Sequence, residues 1–208
     1  KNNKILLAIF KEKQNKKDIN LNKMNKKNSL TNILDTNPLI LSREVEPELI
    51  NSLYKIKARN QEIFQGPTFG NAIGSDYDLF NINDSIIQLI RKDLISISRS
   101  AVKSNVLIID SFFTIFKSGG GLVSHNHLIG LDKINELGIA NKKFSLVYYL
   151  SIGDQNCDEP GILKLENPNL DILPTNGLIV IFPAERNHSV FYKGKEDRII
   201  IGVNFYSI

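Results

Sequence analysis

The sequence predicts a mainly β protein, with helices first and then one antiparallel β-domain, a sandwich or barrel of about a hundred residues. Three observations predict it. After residue 105, short runs rich in Val, Ile, Phe and Tyr alternate with Gly, Pro, Asn and Asp turn signals. Before residue 105, apolar residues recur at helical spacing. The chain has 208 residues and 42% hydrophobic content, enough for one ordinary domain with a real core and an extra segment.

The elements follow in order. Residues 1–28 carry nine Lys against Glu12 and Asp18, a local balance of +7, so the formal net charge of +4 leaves −3 on the other 180 residues. A basic chain raises the question of nucleic acid. Here the charge is confined to a Lys/Asn-rich start, and the β-rich part has no basic–aromatic stripe. Residues 1–40 read as a solvated linker, a frayed helix or the end of an upstream region, since the chain begins without Met. No nucleic-acid partner is expected. "KILLAIF" (4–10) is too short to span a bilayer and lacks a cleavage site, so neither membrane nor export is expected. One cysteine, Cys157, excludes an internal disulfide framework and fits a reducing cytoplasm.

Residues 41–104 read as a helical support segment. "EPELINSLYKIKAR" (46–59) starts a helix at Pro47. "QGPTFGNAIGSDYDLF" (65–80) is punctuated by Gly, Pro and Asp and reads as a structured loop. "NDSIIQLIRKDLISISRSAV" (83–102) is the clearest helix, with Asp84 as N-cap and Ile86, Ile90, Leu94 and Ile97 on the 3.6 period. Residues 105–208 then supply the strands "VLIIDSFFTIFK", "FSLVYYLSI", "GILKLE", "GLIVIFP", "HSVFY" and "RIIIGVNFYSI". There is no internal repeat.

The three histidines of the chain all fall in this β-rich part. "KSGGGLVSHNH" reads as a turn into a strand, and in a strand positions i and i+2 point the same way, so His125 and His127 aim at one point. On a helix they would diverge. His188 opens "HSVFY". Three imidazoles on one face suit a borderline divalent ion such as Fe, Zn, Cu or Ni.

Arg198 starts the last strand, ten residues after His188. Period two puts Arg198, Ile200, Gly202 and Asn204 on one face. An arginine pointing into a barrel needs an anion, and its fork binds a carboxylate bidentately. The alternative is a surface ion pair with Glu196 or Asp197. Tyr149, on one face with Ser145 and Val147, either offers a hydroxyl to the same pocket or packs in the core.

The ordered set "DSFFTIFKSGGGLVSHNH", "FSLVYYLSI", "GILKLENP", "NGLIVIFPAERNHSV" and "RIIIGVNF" resembles the Fe(II)- and 2-oxoglutarate-dependent oxygenases, in particular bacterial and phage members of the prolyl-hydroxylase-like group with a His-X-His motif. The likeness covers residues 105–208 well and extends more weakly upstream. It implies a double-stranded β-helix, a cupin-like jelly roll, with the N-terminal helices packed on it and residues 105–208 as the catalytic core. It implies that His125, His127 and His188 bind Fe(II). It implies that Arg198 and Tyr149 hold the distal carboxylate of 2-oxoglutarate, with Thr114 and Asn204 also in the cofactor pocket and O2 as the second cosubstrate. The implied activity is a dioxygenase, a hydroxylase of a peptide or small molecule.

The chain departs from the family pattern. The usual triad is two histidines and a carboxylate, and His127 stands where the carboxylate belongs. Thr114 stands where relatives often have Asn, and Phe112 where they have Trp. The stretch "LIGLDKINELGIANKK" after the His-X-His is longer than usual and reads as a substrate lid, so that 65–80 and 128–143 would build the pocket wall. Asp132 within it is an alternative carboxylate ligand. Two rival functions follow from the same residues: a zinc-dependent enzyme with a three-His site, and a non-catalytic cupin-like module that binds metal and ligand without turnover.

Overall fold

The computed structural model describes residues 37–56 and 68–208. Most of the expected linker, the end of the first expected helix and the start of the Gly/Pro loop lie outside the described residues. Strand β1 (Leu39–Ser42) comes first, then helix α1 (Pro47–Lys55), strands β2 (Thr68–Phe69) and β3 (Ala72–Gly74), and helix α2 (Ser85–Val102). Eight strands follow: β4 (Val106–Phe116), β5 (Gly120–His125), β6 (Lys143–Ser151), β7 (Leu163–Leu165), β8 (Leu170–Ile172), β9 (Leu178–Pro183), β10 (His188–Tyr192) and β11 (Arg198–Ser207).

These strands form two antiparallel sheets, ordered β1-β9-β6-β11-β4-β3 and β2-β5-β10-β7-β8. Between β4 and β11 the chain crosses to the opposite sheet at every connection except β7 to β8. That winding is a jelly roll, the double-stranded β-helix expected above. Its consequence is that the chain's last strand, β11, lies in the middle of the larger sheet between β4 and β6. The polar face of β11 therefore ends up deep between the sheets.

The faces sort by period two. On β11, Ile199, Ile201, Val203 and Phe205 join the core that the larger sheet makes with the helices. Leu49 and Leu53 of α1 and Ile87, Ile90 and Leu94 of α2 complete it. A second core, with Phe116, Tyr149, Val180, Phe182 and Ile200, fills the space between the sheets. Fully burying such side chains stabilises by about 1.5–3 kcal/mol each. Gly202 is required on this inner face, because a Cβ there would lie 2.4 Å from the Phe112 ring.

Asp84 caps α2, accepting from the amides of Ile86 and Ile87. The buried stripe of α2 is Ile87, Ile90, Leu94 and Ser98. Ile86 and Ile97, expected in the stripe, flank it half-buried. Arg43 ties the end of β1 to both layers: its guanidinium grips Glu46 at 2.6 and 2.7 Å, Asp93 at 2.8 Å and the Tyr148 hydroxyl at 3.0 Å.

Four strands were not expected. Leu39–Ser42 begins within the stretch read as linker, yet it pairs with β9 over four residues. The expected loop 65–80 contains β2 and β3, which extend one edge of each sheet. Leu170–Ile172 pairs with β7. Segments of two to four residues are too short to show a period, and the sheet edge beside them makes them strands. No helix of the described residues is long and apolar enough to cross a membrane.

Candidate metal centre

His125 ends β5, His188 begins β10, and the two are directly paired in the smaller sheet. The pairing brings them together across 63 positions of sequence. His127 lies two residues beyond the strand end, where its amide donates to the Ala184 carbonyl at 2.8 Å, just after β9. The three residues each offer a ring nitrogen, and these atoms all lie within 4.8 Å of one another. Ring centroids are 4.3–5.1 Å apart.

Backbone carbonyls orient two of the rings. His125 Nδ1 donates to Val123 O at 2.7 Å, and His188 Nδ1 to Arg186 O at 3.2 Å. Protonation at Nδ1 leaves Nε2 free as a ligand atom, which is how metal-binding imidazoles are commonly held. Burial pushes all three imidazoles below their ordinary range, His188 to about 4 and His127 well down, and for these two the neighbouring histidines add to the effect. At neutral pH the cluster is uncharged, the state in which imidazole binds metal.

A polar chain leads away from His127. Asn204 Nδ2 lies 3.4 Å from His127 Nδ1 and 3.4 Å from Asp110 Oδ2, and Ser145 Oγ donates to Asn204 Oδ1 at 2.8 Å. Asp132, the alternative carboxylate ligand, is outside the cluster. Its oxygens are taken by Lys143 Nζ at 2.8 Å, the Ile129 amide at 2.7 Å and the Tyr206 hydroxyl. Lys143 and Asp132 are both fully shielded in this pair.

A cavity between the sheets runs from the histidines to Arg198, walled by apolar side chains such as Phe112, Phe116, Leu122, Val147 and Leu163. Among the described residues, the wall of this cavity comes from the strands and from His127 at a strand end, and no residue of 68–80 or 128–143 lines it. Residues 128–143 instead fold into short 3-10 turns, with Ile139 buried against Tyr206 and Asp132 pinned to Lys143. That anchoring explains why an irregular stretch beside the site leaves the wall to the strands.

Arg198 is 1% exposed. It is no surface ion pair: Asp197 accepts from the Tyr54 hydroxyl instead, and no carboxylate of the described residues is within ion-pair distance of the guanidinium. Nη2 donates to Gly161 O at 2.8 Å, while buried Nε has no partner. The rings of Tyr149 and Phe116 lie 5.1 and 5.5 Å from the guanidinium carbon. Burial pulls the Arg198 pKa down and pushes that of Tyr149 up, and the charge of Arg198 partly offsets the Tyr149 shift.

The structure thus gathers His125, His127, His188, Tyr149, Arg198 and Asn204 around one cavity. Asn204 stands at its histidine end rather than with Arg198. Thr114 is buried opposite Ile200 but does not line the cavity. Sequence reasoning missed Asp110 and Gly161. The signal for Asp110 was a lone acid within the apolar run "VLIIDSFF".

No family model matches the chain, and no curated protein matches it by sequence. Solved structures do match. HygX from Streptomyces hygroscopicus, with nickel and 2-oxoglutarate bound, gives a TM-score of 0.63 at 13% identity over 86% of this chain and 87% of that one. The viral collagen prolyl hydroxylase of Paramecium Bursaria Chlorella virus-1, in complex with 2-oxoglutarate, gives 0.60 at 14% identity over 82% and 96%. A Trichoplax adhaerens prolyl hydroxylase, in complex with a hypoxia inducible factor peptide fragment, gives 0.56 at 16% identity over 87% and 89%. The chain shares the fold of these oxygenases.

Proposed function

We propose that this protein is an Fe(II)- and 2-oxoglutarate-dependent dioxygenase that hydroxylates a peptide or small molecule, with residues 105–208 as its catalytic core and 41–104 as support. One observation carries the reading. A single cavity has three convergent imidazoles at one end and, at the other, a buried guanidinium without an anion. A metal alone accounts for the histidines. Arg198 calls for a ligand that carries a carboxylate some distance from its metal-binding end, and 2-oxoglutarate is such a ligand.

The residues fit both groups. His125, His127 and His188 would hold the metal, and Arg198 with Tyr149 the distal carboxylate, which supplies the acceptor that Nε lacks. When bound, iron and 2-oxoglutarate would supply O2 activation and C–H oxidation, with succinate and CO2 as co-products. The chain positions them. The carbonyls of Val123 and Arg186 fix ring orientation, and the apolar walls keep water from the oxidising end. Three neutral imidazoles leave the site one unit more positive than two histidines and a carboxylate would, which strengthens its hold on a dianionic cosubstrate. The structural neighbours support a peptide or small-molecule substrate by what they were solved with: a peptide fragment in one case and hygromycin B in another.

The test is anaerobic addition of Fe(II) and 2-oxoglutarate to the purified protein. A visible charge-transfer band is expected, together with succinate release on admitting air. Stoichiometric zinc with no band would favour the zinc enzyme. Binding of both ligands without any succinate would favour the non-catalytic module.

A further inference from the structure

We propose that Asp110, with the ring of Tyr77 beside it, forms the subsite that receives a cationic group of the substrate, an ammonium or guanidinium. As a substrate subsite this rests on the oxygenase reading; as a cation site it stands on its own geometry.

Asp110 is the first acid on the inner face of β4, in register with Phe112, Thr114 and Phe116. It pairs with Asn204 across the sheet, and Asn204 reaches His127. The carboxylate therefore stands beside the histidine end of the cavity. It is half-buried, yet its Oδ2 has only the long 3.4 Å contact from Asn204. No cation of the described residues is within ion-pair distance of it. Lys143, whose charge it feels, is already held by Asp132 at 2.8 Å. Burial raises the Asp110 pKa, the expected cost of a carboxylate kept on an inner face. Such a group is expensive unless something pairs with it.

Tyr77 supplies the second half. Its backbone carbonyl accepts from the Ser111 amide at 3.0 Å, which places it next to Asp110. Its ring meets Phe112 edge-on, with centroids 5.3 Å apart, and is still 45% exposed. Burial raises the Tyr77 hydroxyl's pKa and the charge of Asp110 adds to the effect, so the two groups are electrostatic neighbours. A carboxylate beside an exposed aromatic ring favours a cation over a neutral donor, because both the charge and the ring face attract it. The loaded metal site does not oppose this. A dication and the 2-oxoglutarate dianion cancel among three neutral imidazoles, and the remaining charge, on Arg198, lies at the other end of the cavity.

The experiment titrates the protein with n-butylamine, which is protonated at neutral pH, and with 1-butanol, by ligand-observed NMR. It is run on metal-free protein and on protein loaded with Zn(II) and 2-oxoglutarate. Butylammonium is expected to bind at least about tenfold more tightly than butanol in both states. Asp110→Asn is expected to bring the two affinities together, and Tyr77→Leu to weaken butylammonium severalfold while sparing butanol. Equal binding of the two probes to the wild-type protein, or no butylammonium binding, overturns the proposal without any need for a variant to fold. So does unchanged discrimination in Asp110→Asn. Metal and 2-oxoglutarate binding, measured on the same samples, report separately on the oxygenase reading.

Discussion

Arg198→Met should make the metal-free protein more stable while removing its affinity for 2-oxoglutarate. The wild-type guanidinium is 1% exposed, donates to Gly161 O and has no anion. Leaving a charge buried without its counterion costs about 3–5 kcal/mol. The Gly161 bond returns about 1.5–3 kcal/mol. The two neighbouring rings return about 1–2 kcal/mol. Methionine fits the same channel, adds about 1–2 kcal/mol of apolar burial and carries no charge. The balance favours the variant by about 2 kcal/mol, or roughly 4–8 °C in Tm for a chain of this size. Circular dichroism on metal-free protein measures it, since the chain has no Trp to report by fluorescence. The same variant should lose 2-oxoglutarate affinity by at least about a hundredfold, because a desolvated charge pair is gone. Calorimetric titration of metal-loaded protein measures that. A destabilised variant would mean that Arg198 is a structural cation whose packing outweighs its charge. Unchanged 2-oxoglutarate affinity would refute its role as anchor.

Gly161→Ala should act on the same pocket, since Gly161 has φ +81° and a Cβ there would lie 2.5 Å from Arg198 Nε. A loss of about 1–2 kcal/mol in a urea melt is expected, with weaker 2-oxoglutarate binding by calorimetry. Asp132→Asn should cost about 3–5 kcal/mol, because it strands the fully shielded Lys143 ammonium; a urea melt within 1 kcal/mol of wild type would show that the pair does not hold the 128–143 segment. Metal-free protein should lose stability as pH falls from about 6.5 to about 4. The His188 imidazole is held neutral by burial down to about 4, whereas the unfolded chain protonates near 6.5, so the unfolded state binds more protons in that window. That histidine alone accounts for about 3 kcal/mol. Melts across that range that show no decline would contradict the burial of the ring.

Strands long enough to show a period, and the faces they present, can be read from the chain alone. On β11 the alternation of Arg198, Ile200, Gly202 and Asn204 against Ile199, Ile201 and Val203 was legible because side chains alternate whatever the partner strand. The His-X-His spacing was legible for the same reason, and the capping of α2 by Asp84 is a local hydrogen bond. Which local features meet depends on long-range pairing. The strand at Leu39–Ser42 exists because β9 offers it an edge. Residues 128–143 are fastened away from the cavity because Asp132 finds Lys143 and Tyr206 on strands β6 and β11. The crossed winding of the jelly roll sets β11 in the middle of its sheet, which turns Arg198 from a candidate surface charge into a cation sealed opposite three histidines. Asp110 shows the limit most plainly. Its place in an apolar run was a signal the sequence reading passed over, and only the pairing of β4 with β11 puts it beside Asn204 and His127. Pairing joins residues about ninety positions apart, and no local pattern encodes such a contact.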